Sequence, residues 1–159
     1  MGARAEALAR QFETKAHEVS TVLERLSEAD WKKTTVAEKW PVGVVAHHLA
    51  SVHEAIAGIA KSIAEGKPGP YLTMDALRAM NAEHAKDHAN CTKAETLVLH
   101  KKNAATAAAI VRGLDDTHLD RSATVLAGMP PASAAQFVER ELIGHLDVHL
   151  DSIRATVAG

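Results

Sequence analysis

Four stretches of this sequence repeat apolar residues at intervals of three and four, a period that restricts the chain to packed helices. In residues 3–27 the repeat is Leu8, Phe12, Ala16, Val19, Leu23 and Leu26, with Glu13, Lys15, Glu18, Glu24 and Arg25 on the other faces. A second helix is expected from Pro41, whose fixed φ suits a first helical position. Its stripe runs Val45, His48, Leu49, Val52, Ile56, Ile59 and Ile63, ending near Glu65-Gly66. The loop signal GKPGPY follows, then Thr73 as an N-cap. From there to Leu114 the chain holds no proline and no glycine before Gly113. This run reads as one long helix, or two bent near Asn90-Cys91-Thr92. One face of its first half is Leu77, Met80, His84, Ala85 and His88; one face of its second is Leu97, His100, Ala104, Ala107, Ala108 and Val111. Residues 115–131, with Gly128 and Pro130-Pro131, read as a loop with a short extended piece at Ala123–Leu126. Ser133 with Gln136 forms a capping-box signature for a last helix, whose apolar face is Phe137, Leu142, His145, Leu146, His149, Ile153 and Val157.

The fold class expected is all-α, an up-down four-helix bundle. At 159 residues the chain can bury one sizeable core. Hydrophobic residues make up 47% of it and aromatics only 3%, so that core is built from Ala, Leu, Val and Ile, which suits close helix–helix packing. A net charge of −2 and scattered Lys and Arg argue against nucleic acid or a membrane surface as partner. Cys91 is the only cysteine, which excludes an intrachain disulfide and fits a reducing compartment. The first residues lack the apolar core of a signal peptide, and no stretch is read as the roughly 20 apolar residues of a membrane span. A cytoplasmic location is expected.

Histidine carries the chemistry. Among ten histidines, His145 and His149 lie four apart inside an apolar helical face, so both rings reach one side of that helix. His48 sits in mid-stripe on another helix, where an imidazole must be paired or metal-bound. The three together would make an open three-nitrogen site for a divalent metal ion. A rival set is His84, His88 and Cys91, which share one helical face. His47 is turned about 100° from His48, and His53 falls toward the flank; both are expected at the boundary or in solvent. Trp31 and Trp40 cap one end of the bundle, with Trp40 alternatively lining a pocket near His48. Glu141, Asp147 and Asp151 are candidates to orient a ligating ring, or else surface charges beside Arg140 and Arg154. The phosphate loop, the GxSxG elbow and HExxH are all missing, which removes support for phosphoryl transfer, serine hydrolysis and zinc-protease chemistry.

WPVGVVAHHLA at 40–50 resembles the Trp-Ser-Val-x-x-hydrophobic-x-x-His-Leu signature of the DinB/YfiT-like metal-binding bundles, with His48 eight residues after Trp40. His145-xxx-His149 followed by Ile153-Arg154 is similar to that superfamily's last-helix ligand pair. Pro41 stands where Ser or Thr is usual, and His47 is added beside the ligand position. The resemblance implies one helical-bundle domain over residues 1–159, often dimeric, with His48, His145 and His149 holding zinc, nickel or iron. It also implies a small-molecule substrate and a low-molecular-weight thiol as co-substrate, because relatives include mycothiol and bacillithiol S-transferases and a mycothiol-dependent maleylpyruvate isomerase. The expected activity is that of a metal-dependent thiol S-transferase or hydrolase acting on a small electrophile. The alternatives are a binding or sequestering protein using the same pocket, and a helical interaction module whose histidines are structural.

Overall fold

The first apolar repeat becomes α1, Ala3–Arg25, in the computed structural model, which describes residues 2–159. Its stripe is buried as expected, from Leu8 and Phe12 to Leu23. Leu26 turns extended and ends the helix, and Ser27 immediately caps α2, Glu28–Lys32, through a reciprocal box with Asp30. The expected break around Trp31 is therefore a short helix, and Trp31 is buried in it. α3 is Val42–Ala64, with Pro41 as its N-cap rather than its first helical residue. The proline-free run is two helices: α4, Met74–Asp87, and α5, Lys93–Arg112, separated at 88–92. Thr73 caps α4, accepting from the Ala76 N–H at 3.1 Å, and Thr92 caps α5 in a box with Glu95. After a short two-stranded pairing of Ser122–Ala123 (β1) with Ala132–Ser133 (β2), the last long helix is built from three consecutive pieces. These are α6 (Ala134–Phe137), a π-helical segment (Val138–Ile143) and α7 (Gly144–Ala158). The expected Ser133–Gln136 box is formed, each bond 3.0 Å.

Four long helices pack as a bundle, and side-chain contacts give their directions. α1 runs against α5: Lys93 Nζ reaches the Glu24 and Leu26 carbonyls at one end, and Arg112 pairs with Glu6 and Glu13 at the other. α3 runs alongside α5, with Cys91 against Gly43 near their starts and Asn103 donating to the Ala50 carbonyl further on. The last helix runs with α1, as Lys15–Asp147 and Glu18–Arg154 show. The order is up, down, down, up. Parallel neighbours need a long connection, and α4 with its flanking loops is that crossover.

α3 is the innermost member. Every residue from Val42 to Ala50 is buried, and further along so are His53, Ala57, Ala60, Ile63 and Ala64. The buried face is thus rotated from the expected one, since Val52, Ile56 and Ile59 are only half-buried. Small side chains explain the rotation: Ala57 and Ala60 on α3, with Ala107 and Ala108 on α5, let backbones approach closely. α3 is also long and apolar enough, by length and composition, to cross a membrane, contrary to the expectation that no stretch would be. More than half of that stretch is buried inside the protein, as a helix apolar on all sides requires in a bundle core.

Two local devices fix α3. The Trp31 indole donates to the Cys91 carbonyl at 2.9 Å and lies flat over Gly43, so close that a Cβ there would sit 2.3 Å from Nε1. His53, expected at the flank, is instead 1% exposed, its ring edge-on to Phe12 and its Nε2 2.9 Å from His100 Nδ1. His100 Nε2 lies 2.8 Å from the Ala16 carbonyl, which only accepts, so that nitrogen donates. The neutral His100 Nδ1 then accepts from His53 Nε2–H. Burial, reinforced by the neighbouring rings, pushes His53 down to about 3, and burial lowers His100.

Gly43→Ala drives a methyl group into a pinned indole and should cost about 1–3 kcal/mol in urea unfolding. The His53 pair sets an acid limit. Above pH 6.5 folded and unfolded chains are both neutral at His53 and stability is full. Between 6.5 and about 3 only the unfolded chain takes the proton, so stability falls by up to about 1.4 kcal/mol per pH unit. His53→Gln should remove up to one proton from the pH dependence of unfolding below 6.5; an unchanged slope would exclude His53 as a source.

Candidate metal centre

α3 and the last helix bring three imidazoles to one point. His145 and His149 lie one turn apart on α7, and His48 faces them from α3. His145 Nε2 is 3.3 Å from His48 Nε2 and 3.0 Å from His149 Nε2. The ring planes stand 69° to 84° apart, so the rings meet edge-on and their nitrogens converge. Two nitrogens held tetrahedrally at 2.0–2.1 Å from one ion are roughly 3.3–3.4 Å apart, so the spacing suits a shared cation. All-imidazole donors suit a borderline divalent ion. Burial, with the neighbouring rings second, lowers His48 to about 4 and His145 to about 3, so both are neutral near pH 7 and each ring keeps one lone pair.

The π-helical segment aims α7. Gly144 N–H donates to the Glu139 carbonyl five residues back, which inserts one extra residue into the turn. The inserted residue lets Phe137 and Leu142, five apart, both face the core, and it sets the register from which His145 and His149 project inward. The five-residue step in the apolar stripe was the sequence signal for it.

Glu38 is the residue that sequence reasoning missed. Its Oε2 lies 2.7 Å from His149 Nδ1, and Ser152 Oγ donates to its Oε1 at 2.6 Å. Burial pushes its carboxyl up, but hydrogen bonds with Ser152, His149 and Thr35 outweigh that and hold it below the usual carboxylate range. An ionised carboxylate only accepts, so His149 Nδ1 carries the proton and its Nε2 lone pair faces the other rings. Glu38 sits in a turn closed by Thr35 N–H to the Trp40 carbonyl at 2.8 Å and by a bridge between Thr34 and Pro41. Within that turn Lys39 has φ 62°, a left-handed conformation unusual for a residue with a side chain. No motif announces this placement. The candidates chosen from sequence lie elsewhere: Asp147 pairs with Lys15 at 2.7 Å, and Glu141 and Asp151 are exposed.

The model of the mycothiol maleylpyruvate isomerase N-terminal domain family matches residues 12–150. The chain belongs to that family. It lies thereby within the DinB/YfiT-like superfamily. Two solved structures share the fold, a mycothiol-dependent maleylpyruvate isomerase and a mutant of it in which one histidine is replaced by alanine. Each has a TM-score of 0.73, at 14% and 13% identity respectively. Each match covers 96% of this chain but 63% of the matched one, so this chain spans under two thirds of their length. No curated protein matches by sequence.

Trp40 stands edge-on to His48 with ring centroids 5.7 Å apart, lining the imidazole site, while Trp31 belongs to the end of the bundle. The rival set does not assemble. Cys91 turns away, its Sγ–H donating to the Gly43 carbonyl at 3.2 Å, and burial pushes its thiol up, the opposite of an activated nucleophile. His84 and His88 instead meet His47, which is buried rather than solvated as expected. A cleft of about 420 Å³ opens beside this region, lined by Trp31, Pro41, Gly43, Val44 and Cys91, and not over the His48 group.

Lys39→Pro cannot adopt a φ of 62° and removes the N–H that bonds the Thr35 carbonyl at 3.1 Å. It should unseat Glu38 and cost more than about 1 kcal/mol in unfolding, whereas Lys39→Gly should be tolerated within about 1 kcal/mol. Equal losses in the two variants would show that the turn's conformation is not what matters.

Proposed function

We propose that this protein is a metal-dependent thiol transferase in which His48, His145 and His149 hold a divalent ion. Zinc, nickel and iron all suit the donor set. A low-molecular-weight thiol of the mycothiol kind is the co-substrate, and a small electrophile is the acceptor. The observation that carries the reading is Glu38 at 2.7 Å from His149, a carboxylate–imidazole pair that turns a lone pair inward toward two rings kept neutral by burial. The family and the fold add the thiol, since the matched structures are of a mycothiol-dependent isomerase.

A divalent cation with an open position supplies Lewis acidity, lowering the pKa of a thiol or water beside it. The chain's own residues do the rest. Glu38 and Ser152 fix the tautomer and orientation of His149. The π-helical segment sets the direction of His145, and Trp40 shields one edge of His48 from water. The modest net charge favours a small molecule over nucleic acid or membrane as partner. A homodimer, a cytoplasmic setting and a single domain over 1–159 complete the proposal; light scattering checks the first.

Purified protein reconstituted with zinc, nickel or ferrous ion should hold at least one ion per chain that the His48, His145, His149 triple alanine variant loses. Glu38→Ala should weaken that binding about 10–100-fold. A panel of thiols and electrophiles then separates turnover from binding alone. Retention of every bound ion by the triple variant would end this reading, and tight thiol binding without turnover would make the protein a sequestering one.

A further inference from the structure

α3 presents consecutive histidines to two different clusters. His48 faces α7, while His47, about 100° further round, faces the end of α4. There His47 Nδ1 lies 2.8 Å from His84 Nε2, and the His88 ring stacks on His47 with centroids 4.0 Å apart. One nitrogen from each of the three rings falls within 4.8 Å of the others. His84 Nδ1 is buried without a hydrogen-bond partner. We propose that His47, His84 and His88 form a second divalent-cation site, one that fastens α4 to the bundle.

The packing of α4 gives the site its purpose. No residue of Met74–Asp87 is buried, and Met80, expected on its inner face, is 58% exposed. Apolar burial therefore contributes little to holding this helix down. Backbone bonds from the Tyr71 and Leu72 N–H groups to the Val125 carbonyl, and from Ala127 N–H to the Leu72 carbonyl, hold the chain just before this helix; at its C-terminal end His84 and His88 stand one turn apart and reach the buried His47 ring of α3. A pair of histidines at that spacing on one helix, joined by a third from another, is the same construction as His145, His149 and His48. An all-imidazole set selects a borderline ion such as zinc over magnesium or calcium. His84 also stands edge-on to His48 at 5.7 Å between ring centroids, so the clamped end of α4 borders the first cluster.

The experiment uses the whole chain, stripped with a chelator and then equilibrated with Zn²⁺. Ions per chain are counted by elemental analysis, and amide hydrogen exchange is followed in Met74–Asp87. Wild type should take two ions, and His84→Ala/His88→Ala should take one, as should His145→Ala/His149→Ala. Zinc should slow exchange in α4 by about tenfold or more in wild type and in the 145/149 variant, but not in the 84/88 variant. Because α4 lies outside the core, the 84/88 variant should keep its bundle helicity; if it does not, wild-type stoichiometry decides. At most one ion in wild type, lost only in the 145/149 variant, overturns this site and leaves the proposed function standing. One ion lost only in the 84/88 variant does the reverse. Two ions with unchanged exchange in α4 overturns the clamp.

Discussion

The first half of α3 has no face on solvent, and each imidazole it carries must find its partner inside the protein. An unpaired buried ring nitrogen costs about 1–3 kcal/mol, a large share of a domain's net stability. His47, His48 and His53 therefore cannot be incidental. Because successive residues turn about 100°, the three point to three different neighbours: His47 to α4, His48 to α7 and His53 to α5. One helix in this way sets the positions of three others, by polar demand as much as by apolar burial.

The three destinations differ in chemistry. The His53–His100 pair is a relay in which His53 Nε2–H donates to His100 Nδ1 and His100 Nε2–H donates to the Ala16 carbonyl. The His48 group is open. The outer nitrogen of His149 is tied to Glu38, and the inner nitrogens of the three rings lie 3.0 and 3.3 Å apart. Direction of the inner lone pair, rather than burial, separates a structural histidine from a ligand. On that criterion Glu38 matters as much as the rings, because its charge decides which nitrogen of His149 carries the proton.

The family relationship fits this division. A fold shared at 14% identity leaves few side chains in common, yet the bundle and its helix order persist. The Glu38 turn and α4 flank the imidazoles on two sides.

Much of this was legible in the residues. The period of three and four marked every long helix, the Ser133–Gln136 box marked the start of the last one, and His48, His145 and His149 stood out as imidazoles on apolar faces. Those features are local: a helix's face and cap depend on residues within one or two turns. The tertiary structure alone decided the rest. It turned α3 so that His47 and His53 went inside, chose two helices over one in the run where the sequence left both open, and carried Glu38 to His149 across 111 residues. The reason is that which face of a buried helix goes where is settled by the neighbours it packs against, and a carboxylate in a loop shows its partner only once the chain has closed around it.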